Sequence, residues 1–313
     1  MKDYNRTSYS IKKKKRRRKV FMIKLFLLSI TILLLILFVI LIRNIIVKST
    51  LGQVDAEQTD TEQYIDTSED IYSNTAYGDL DNSAEEIELE ETDSLSKLYT
   101  FAQKNNLSLD EYPDELFELL EKNPETEEFV FQYPFKKNTY SDEPLTELLR
   151  QDSVPLLLQW DERWGYYEYG DGIMGLTGCG PTCLSMVAIH LLQNEKYTPI
   201  YVAEYSMHNG FYYDGNGTAW ELMTEAARAF GLDVKEVPLD ENVVKNYLAE
   251  GNPIICVVGP GDFTDQGHFL VFTGLENGHI MINDPNSVER SEQSWVFDDI
   301  KGQIKNMWVY TVG

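Results

Sequence analysis

The sequence has few cysteines and few histidines, and both shortages limit the chemistry that the chain can carry. Three cysteines occur among 313 residues, so at least one thiol stays unpaired within the chain and no disulfide framework is predicted. An unpaired thiol is either an inert core residue or a reactive group. With only four histidines, a catalytic base or a metal site has few side chains from which to be built.

Positive charge is scarce beyond the N-terminus. Of the 27 Lys and Arg residues, 13 lie in residues 1–48 beside a single acid, Asp3. The remainder carries 14 basic and 50 acidic residues, a net charge of −36. A surface of this sign repels nucleic acid and anionic membrane surfaces. The sequence therefore predicts no nucleic-acid partner.

Long apolar runs are also rare, with one exception near the N-terminus. Residues 12–19 are all Lys or Arg, and residues 25–42 are apolar apart from Ser29 and Thr31. A helix of that length spans ~27 Å, close to the ~30 Å hydrocarbon thickness of a bilayer. A signal peptide has an apolar region of only about 7–15 residues and a small-residue cleavage site, and neither is visible here.

This pattern predicts a single-pass membrane protein with a basic cytoplasmic tail at residues 1–19 and a transmembrane helix at residues 20–47. Because basic flanks remain in the cytoplasm, the C-terminal part is predicted to lie outside the cell membrane.

The next segment lacks basic residues altogether. Residues 51–93 contain no Lys or Arg and carry Asp or Glu throughout, with few apolar positions. Such a segment cannot bury enough surface to offset its ordering entropy, so residues 48–93 are predicted to form a disordered acidic stalk. The alternative, an acidic cation-binding segment, has no regular ligand spacing.

Residues 94–149 are predicted to be a helical bridging region between the stalk and the main domain. Two apolar stripes recur at helical spacing. The first comprises Leu95, Leu98, Tyr99 and Ala102, and the second comprises Leu116, Phe117, Leu119 and Leu120.

Chemistry is predicted at Cys179. Gly178 and Gly180 flank this residue, and Pro181 precedes an apolar helical stretch. Glycines permit a tight turn and proline fits the first turn of a helix, so Cys179 is predicted at a helix N-terminus. Free N–H groups and the helix dipole favour a thiolate at that position. The alternative is a buried small hydrophobe, the interpretation preferred for Cys183 and Cys256.

His268 is the candidate base for this thiol, because it opens a strongly apolar strand. His190 lies eleven residues along the cysteine helix, ~16 Å away by helical rise, which is too far for a base or a shared metal. His208 lies at a polar helix end, and His279 follows an Asn-Gly turn. No metal or cofactor is predicted.

Asp284 is the candidate group to orient His268, provided that the strand register allows it. The strand that begins at His268 turns at residues 277–278 and returns toward Asp284. A two-residue turn pairs His268 with Ser287 and puts Asp284 on the opposite face. A three-residue loop pairs Leu270 with Asp284, and the carboxylate then lies diagonal to His268 on the same face. The alternative role for Asp284 is an Asp-Pro turn that ends the strand.

Gln159 is a candidate oxyanion donor. It follows an apolar run twenty residues before Cys179, and its amide N–H is of the type that stabilises a developing oxyanion beside a backbone N–H. The alternative is a surface glutamine.

Residues 154–310 resemble the bacteriocin-processing (double-glycine leader) peptidase-like family of cysteine peptidases, within the papain-like superfamily. The matching features, in this order, are Gln159-Trp160-Asp161, Gly178-Cys179-Gly180-Pro181-Thr182, Gly217-Thr218-Ala219-Trp220, Gly267-His268-Phe269 and Asn283-Asp284-Pro285.

The resemblance implies an α+β papain-like fold over residues 150–313, in which a helix bearing the cysteine packs on an antiparallel sheet bearing the histidine and aspartate. It implies Cys179 as nucleophile, His268 as general base, Asp284 as orienting acid and Gln159 as oxyanion donor.

Taken together, these features predict a membrane-anchored, extracytoplasmic cysteine peptidase that cleaves peptide or protein substrates through a thioester. One alternative is a peptidoglycan peptide hydrolase of the same fold, and another is a catalytically silent binding module. The oligomeric state is not predicted.

A group of aromatic residues is expected either to line a substrate groove or to pack in the core: Tyr201, Tyr205, Phe211, Tyr212 and Tyr213.

Overall fold

A six-stranded antiparallel sheet is the central element of the protein in the computed structural model, which describes residues 93–313. In chain order the strands are β1 (Glu168–Tyr169), β2 (Gly172–Ile173), β3 (Tyr212–Tyr213), β4 (Gly217–Thr218), β5 (Leu232–Glu236), β6 (Ile254–Val258), β7 (His268–Glu276), β8 (His279–Asn283), β9 (Ser294–Trp295) and β10 (Ile304–Val312). The large sheet has the order β5-β10-β6-β7-β8-β9, while β1-β2 and β3-β4 form small hairpins.

The α-helices are α1 (Ser94–Lys104), α2 (Asp114–Lys122), α3 (Glu127–Lys136), α4 (Met174–Thr177), α5 (Cys179–Leu192), α6 (Pro199–His208), α7 (Ala227–Phe230), α8 (Glu241–Ala249), α9 (Val288–Ser291) and α10 (Phe297–Ile300). A π-helical turn, Leu222–Ala226, leads into α7, and 3-10 turns occur at Leu109–Glu111, Pro124–Thr126, Thr146–Leu148 and Lys301–Gln303.

Both faces of the sheet are covered, which explains why β6 is apolar at every position. Side chains alternate between the faces of a strand. Ile255 and Val257 belong to the core cluster that contains the buried side chains of α5. Cys256 and its neighbours Ile254 and Val258 belong to the opposite cluster, which α8 and α10 cover. The result is the α+β architecture that was predicted, with the cysteine-bearing helix packed on the antiparallel sheet.

The segment before this domain contains three helices where the sequence predicted two. Asp93 caps α1, because its Oδ1 accepts a hydrogen bond from the Ser96 N–H at 2.9 Å. Leu98 and Ala102 are buried as predicted, but Tyr99 is 56% exposed and does not belong to the apolar stripe. The third helix, α3, was missed because Pro134 lies inside it and interrupts the helical pattern.

These helices pack directly on the sheet-containing part of the chain. Leu116 and Leu120 of α2 are fully buried in a cluster shared with Tyr166. The ring of Phe129 from α3 stacks on Tyr166 with a centroid distance of 4.5 Å. The helical segment is therefore part of the same folded body.

The predicted cytoplasmic tail, the transmembrane helix at residues 20–47 and the stalk up to residue 92 lie outside the described residues. Within residues 93–313, no helix combines the length and apolarity needed to cross a bilayer.

Candidate active site

Cys179 is the first residue of α5 and remains partly exposed to solvent. The flanking glycines serve close packing rather than an unusual backbone turn, since Gly178 has φ −88° and Gly180 lies within the helix. A Cβ at Gly178 would lie 2.5 Å from the Met174 carbonyl oxygen, and one at Gly180 would lie 2.7 Å from the Thr218 side chain. Both glycines therefore allow Met174 and Thr218 to pack closely against the start of α5.

His268 is the first residue of β7, and its ring lies between Cys179 and Asp284. Its Nε2–H donates to Asp284 Oδ1 at 2.7 Å, because a carboxylate oxygen accepts. On its other side the imidazole interacts with the Cys179 thiol, and each of these two groups shifts the pKa of the other. Since Nε2 is engaged by Asp284, Nδ1 is the ring nitrogen that remains available to the thiol. His268 is 7% exposed and Asp284 is fully buried.

The register that brings Asp284 to His268 arises in a way that the sequence did not predict. The hairpin has the two-residue turn, with Glu276 paired to His279. Asn277 and Gly278 both have positive φ, as a tight hairpin turn requires. A β-bulge between Phe272 and Gly274 then shifts the pairing by one residue.

Beyond the bulge, Val271 pairs with Asn283. Continued by one residue, this register sets Leu270 opposite Asp284, which is the pairing expected for a three-residue loop. The bulge thus supplies the extra residue that was expected in the turn, and the carboxylate lies on the same face as His268.

Asp284 has further partners that the sequence does not predict. Arg290 Nε donates to Asp284 Oδ2 at 2.6 Å, and the Asn286 N–H donates to Oδ1 at 2.8 Å. The backbone N–H of Asp284 donates to Ser291 Oγ at 2.9 Å. Arg290, six residues after Asp284, is the feature of the sequence that could have indicated these contacts. The buried Asp284 carboxylate has a charged or ionisable partner on each of its two oxygens.

The pKa shifts of the three groups favour a charged pair at Cys179 and His268. Burial raises the pKa of the Cys179 thiol, but the hydrogen bond and charge of His268 lower it more, so the pKa falls below its ordinary value. Backbone N–H groups of Phe269 and Gly180 act in the same direction. Burial lowers the pKa of His268, but Asp284 and Cys179 raise it to a value above the ordinary one.

Asp284 itself stays ionised. Burial raises its pKa, but the charges and hydrogen bonds of His268 and Arg290 outweigh burial and lower the pKa. By contrast, burial raises the thiol pKa values of Cys183 and Cys256. Both thiols are fully buried, which confirms the prediction that they are core residues.

Gln159 is 4% exposed and lines the same cleft as Cys179, so the surface alternative is wrong. Its Nε2 donates to the Gly175 carbonyl oxygen at 2.9 Å. Because that carbonyl can only accept, the orientation of the amide is fixed, and a second N–H remains on Nε2. The backbone N–H of Gln159 donates to the Pro285 carbonyl at 2.7 Å, next to Asp284.

Two cavities meet at Cys179 and His268. One is lined by Leu119 and Lys122 of α2, by residues 261–267 and by Arg290. The other is bounded by β4 and by the side chains of Tyr212 and Trp220. Within residues 93–313, no group of three or more His, Cys, Asp or Glu side chains is arranged to hold a metal ion.

Of the five aromatic residues singled out from the sequence, some pack in the core and others line a cavity or remain exposed. Tyr201, Tyr205 and Phe211 pack against the main core cluster. Tyr212 packs there too but also lines the second cavity, and Tyr213 is 53% exposed. Trp220, not among the aromatics singled out from the sequence, is 45% exposed and lines the second cavity, as Cys179 does.

Comparison with known proteins identifies a family. A family model described as Peptidase_C39 like family matches residues 151–313, slightly more than half of the chain.

The peptidase domain of Streptococcus ComA, a bifunctional ABC transporter involved in a quorum-sensing pathway, is 20% identical over 51% of this chain and 99% of that chain, with a TM-score of 0.37. A protein assigned as a C39-like peptidase, from Bacillus anthracis, is 16% identical over 54% and 97% respectively, with a TM-score of 0.29. A search of curated proteins finds no significant match. At these scores the family assignment rests on the family model.

Proposed function

The chain belongs to the Peptidase_C39 like family, and from that premise we propose that residues 150–313 form a cysteine peptidase that hydrolyses peptide bonds through Cys179, His268 and Asp284. One observation carries the proposal. A thiol at a helix N-terminus has its pKa lowered by an adjacent imidazole, and one nitrogen of that imidazole lies 2.7 Å from a buried carboxylate. Nucleophilic catalysis requires a nucleophile, a base next to it and a group that orients the base, and these three groups occur here in that spatial order.

The first half of the reaction forms a thioester. The Cys179 thiolate attacks the carbonyl carbon of the scissile bond, and the carbonyl electron pair moves to oxygen. When the tetrahedral intermediate collapses, the C–N bond breaks and the His268 imidazolium gives its proton to the leaving amine. Asp284 keeps the imidazole oriented with Nδ1 toward the sulfur and stabilises its positive charge.

Two N–H groups are proposed to bind the oxyanion. The backbone N–H of Cys179 has no partner within the helix, because it belongs to the first turn. The second N–H of Gln159 Nε2 is the other donor. The hydrogen bond to Gly175 fixes that amide before substrate arrives, so little reorganisation accompanies the reaction.

The second half releases the acyl group. Neutral His268 takes a proton from water, and the hydroxide equivalent attacks the thioester carbon. The C–S bond breaks, the acid product leaves, and the proton on His268 restores the thiolate-imidazolium pair. No group outside the chain is needed other than water and the peptide.

The cleft favours an extended peptide as substrate. The two cavities that meet at Cys179 provide space on both sides of a scissile bond, one beside α2 and the other beside Trp220. An exposed tryptophan in a concave site is a typical contact for an apolar substrate side chain. We assign Trp220 to substrate binding on these grounds.

We further propose that this domain is anchored to the cell membrane by one transmembrane helix at residues 20–47, with the N-terminus cytoplasmic and the peptidase domain outside. The support is the apolar run at residues 25–42 and the eight basic residues that precede it. An extracytoplasmic location makes cell-wall peptides a second candidate substrate class.

The test is a cleavage assay with the full-length chain in detergent. A peptide library and purified peptidoglycan are incubated with the wild type and with Cys179→Ser, and new termini are identified by mass spectrometry. Peptide cleavage that disappears in the variant is expected. Cleavage of peptidoglycan alone would favour the wall hydrolase, and cleavage of neither substrate would favour a binding module.

A further inference from the structure

The loop that follows Asp284 is bound by the helical segment that precedes the family-matched region. Asn123, a buried residue between α2 and α3, donates from Nδ2 to the Asn286 carbonyl oxygen. Trp160 Nε1 donates to the same oxygen at 3.2 Å. The chain directly after Asp284 is thus fixed by one residue of the peptidase domain and by one residue outside it.

Glu125 makes the more extensive contact with this loop. Its Oε1 accepts from Ser287 Oγ at 2.5 Å, and its Oε2 accepts from the Val288 N–H at 2.7 Å. The Glu289 N–H lies 3.4 Å from Oε1. Val288 and Glu289 are the first two residues of α9, whose N–H groups have no partner within the helix. Glu125 therefore supplies, from a distant part of the chain, the acceptor that these groups need.

The short helix held by Glu125 carries the residues that hold Asp284. Arg290 donates to the Asp284 carboxylate at 2.6 Å. The Oγ of Ser291 accepts a hydrogen bond from the backbone N–H of Asp284 at 2.9 Å. Ser287 also caps the helix by accepting from the Arg290 N–H at 3.1 Å. A continuous path of hydrogen bonds thus runs from Glu125 through α9 to Asp284 and on to His268.

We propose that Glu125 is a positioning residue for the catalytic triad, so that the helical segment at residues 94–136 completes the active site; this inference rests on the proposed function. Glu125 touches neither the substrate cleft nor the reacting atoms. It fixes α9, and through Arg290 and Ser291 it fixes the carboxylate that orients His268. Small displacements of a positioned group lower catalytic efficiency steeply, by up to about a hundredfold for 1 Å.

The test measures the rate at which iodoacetamide modifies Cys179 in the full-length chain, from acidic to alkaline pH. Reaction at acidic pH requires the imidazolium-paired thiolate, whereas at alkaline pH any accessible thiol ionises. In Glu125→Ala we expect the acidic-pH rate to fall about tenfold, within the range that misplacement of a catalytic group produces, and the alkaline rate to stay near that of the wild type.

Two further variants make the test specific. Glu125→Gln keeps an oxygen for the Val288 N–H and is expected to recover most of the acidic-pH rate. Glu127→Ala removes a carboxylate two residues away that forms an ion pair with exposed Lys97, and it should leave the profile unchanged. A merely structural role of Glu125 would lower thermal stability without this change in pH profile.

A wild-type profile in Glu125→Ala would overturn the proposal. If that variant does not fold, Ser287→Ala removes the same contact from the loop side, and a wild-type profile there would overturn it equally. If the wild type itself reacts only as an ordinary thiol, the proposed function fails together with this inference. The two failures are therefore distinguishable.

Discussion

At the scale of single residues, the site is a series of buried or partly buried ionisable side chains that stabilise the charged forms of one another. An isolated buried charge is costly, and burial alone shifts each pKa toward the neutral form. Here the Cys179 thiol lies next to the His268 imidazole, the imidazole binds Asp284, and Asp284 also binds Arg290. In the charged forms each group has a partner of opposite sign, so those forms are favoured.

We expect the charge of Asp284 to set the alkaline limit of the proposed activity. Because Asp284 raises the pKa of His268, the imidazolium that is proposed to protonate the leaving amine should persist at alkaline pH and be lost as pH rises through that raised value. Asp284→Asn keeps an acceptor but removes the charge, so the pKa of His268 falls toward its ordinary value. We expect the alkaline limb of kcat/KM for a cleaved peptide to move to lower pH.

The matched control is Asp299→Asn, which neutralises an exposed carboxylate of α10 and should leave the pH profile unaltered. An alkaline limb in Asp284→Asn at the wild-type position would show that the carboxylate does not set the pKa of His268.

Gln159 offers a second test at this scale. Removing one oxyanion donor lowers kcat by about a hundredfold or more, so Gln159→Ala is expected to lose about that factor with little change in KM. Gln151→Ala, at an exposed position, is the control for the loss of a glutamine. Steady-state kinetics decide the matter: a raised KM with an unchanged kcat would place Gln159 in ground-state binding instead.

At the scale of secondary-structure elements, the sequence predicts some placements well and others not at all. Local patterns identified the helix that begins at Cys179 and the strand that begins at His268, because glycine, proline and apolar periodicity act within a few residues. The β-bulge in β7 has no such local pattern, so both hairpin registers remained open. The contact of Glu125 with Ser287 joins residues 162 positions apart, and only the packing of the helical segment brings them together.

That packing makes a prediction for α2. Leu120 is fully buried between the helical segment and the domain, and replacing a buried leucine by alanine costs about 2–5 kcal/mol. Leu120→Ala should therefore lower the free energy of unfolding by that amount in denaturant titrations. Tyr99→Ala, at an exposed site on α1, should change it by less than about 0.5 kcal/mol. Equal effects in the two variants would contradict the packing described for α2.

At the scale of the whole molecule, charge and hydropathy divide the chain into parts with different predicted roles. A basic N-terminus, an apolar run and an acidic segment precede a domain whose net charge is also negative. Single-pass anchoring with the domain outside is the arrangement that these properties favour.

This topology is testable through the active-site thiol. Cys179 is partly exposed, whereas Cys183 and Cys256 are buried. A membrane-impermeant maleimide is therefore expected to label intact cells that express the wild type, and to label them far less when they express Cys179→Ser. Labelling that requires cell lysis would place the domain in the cytoplasm.

The most direct test of the central claim is the ionisation of Cys179 itself. The difference in thiolate absorbance between the wild type and Cys179→Ser, followed against pH, isolates this one thiol. We predict a midpoint below the ordinary thiol pKa of about 8.5, and a return toward that value in His268→Ala. A wild-type midpoint at or above about 8.5 would contradict the pairing of Cys179 with His268.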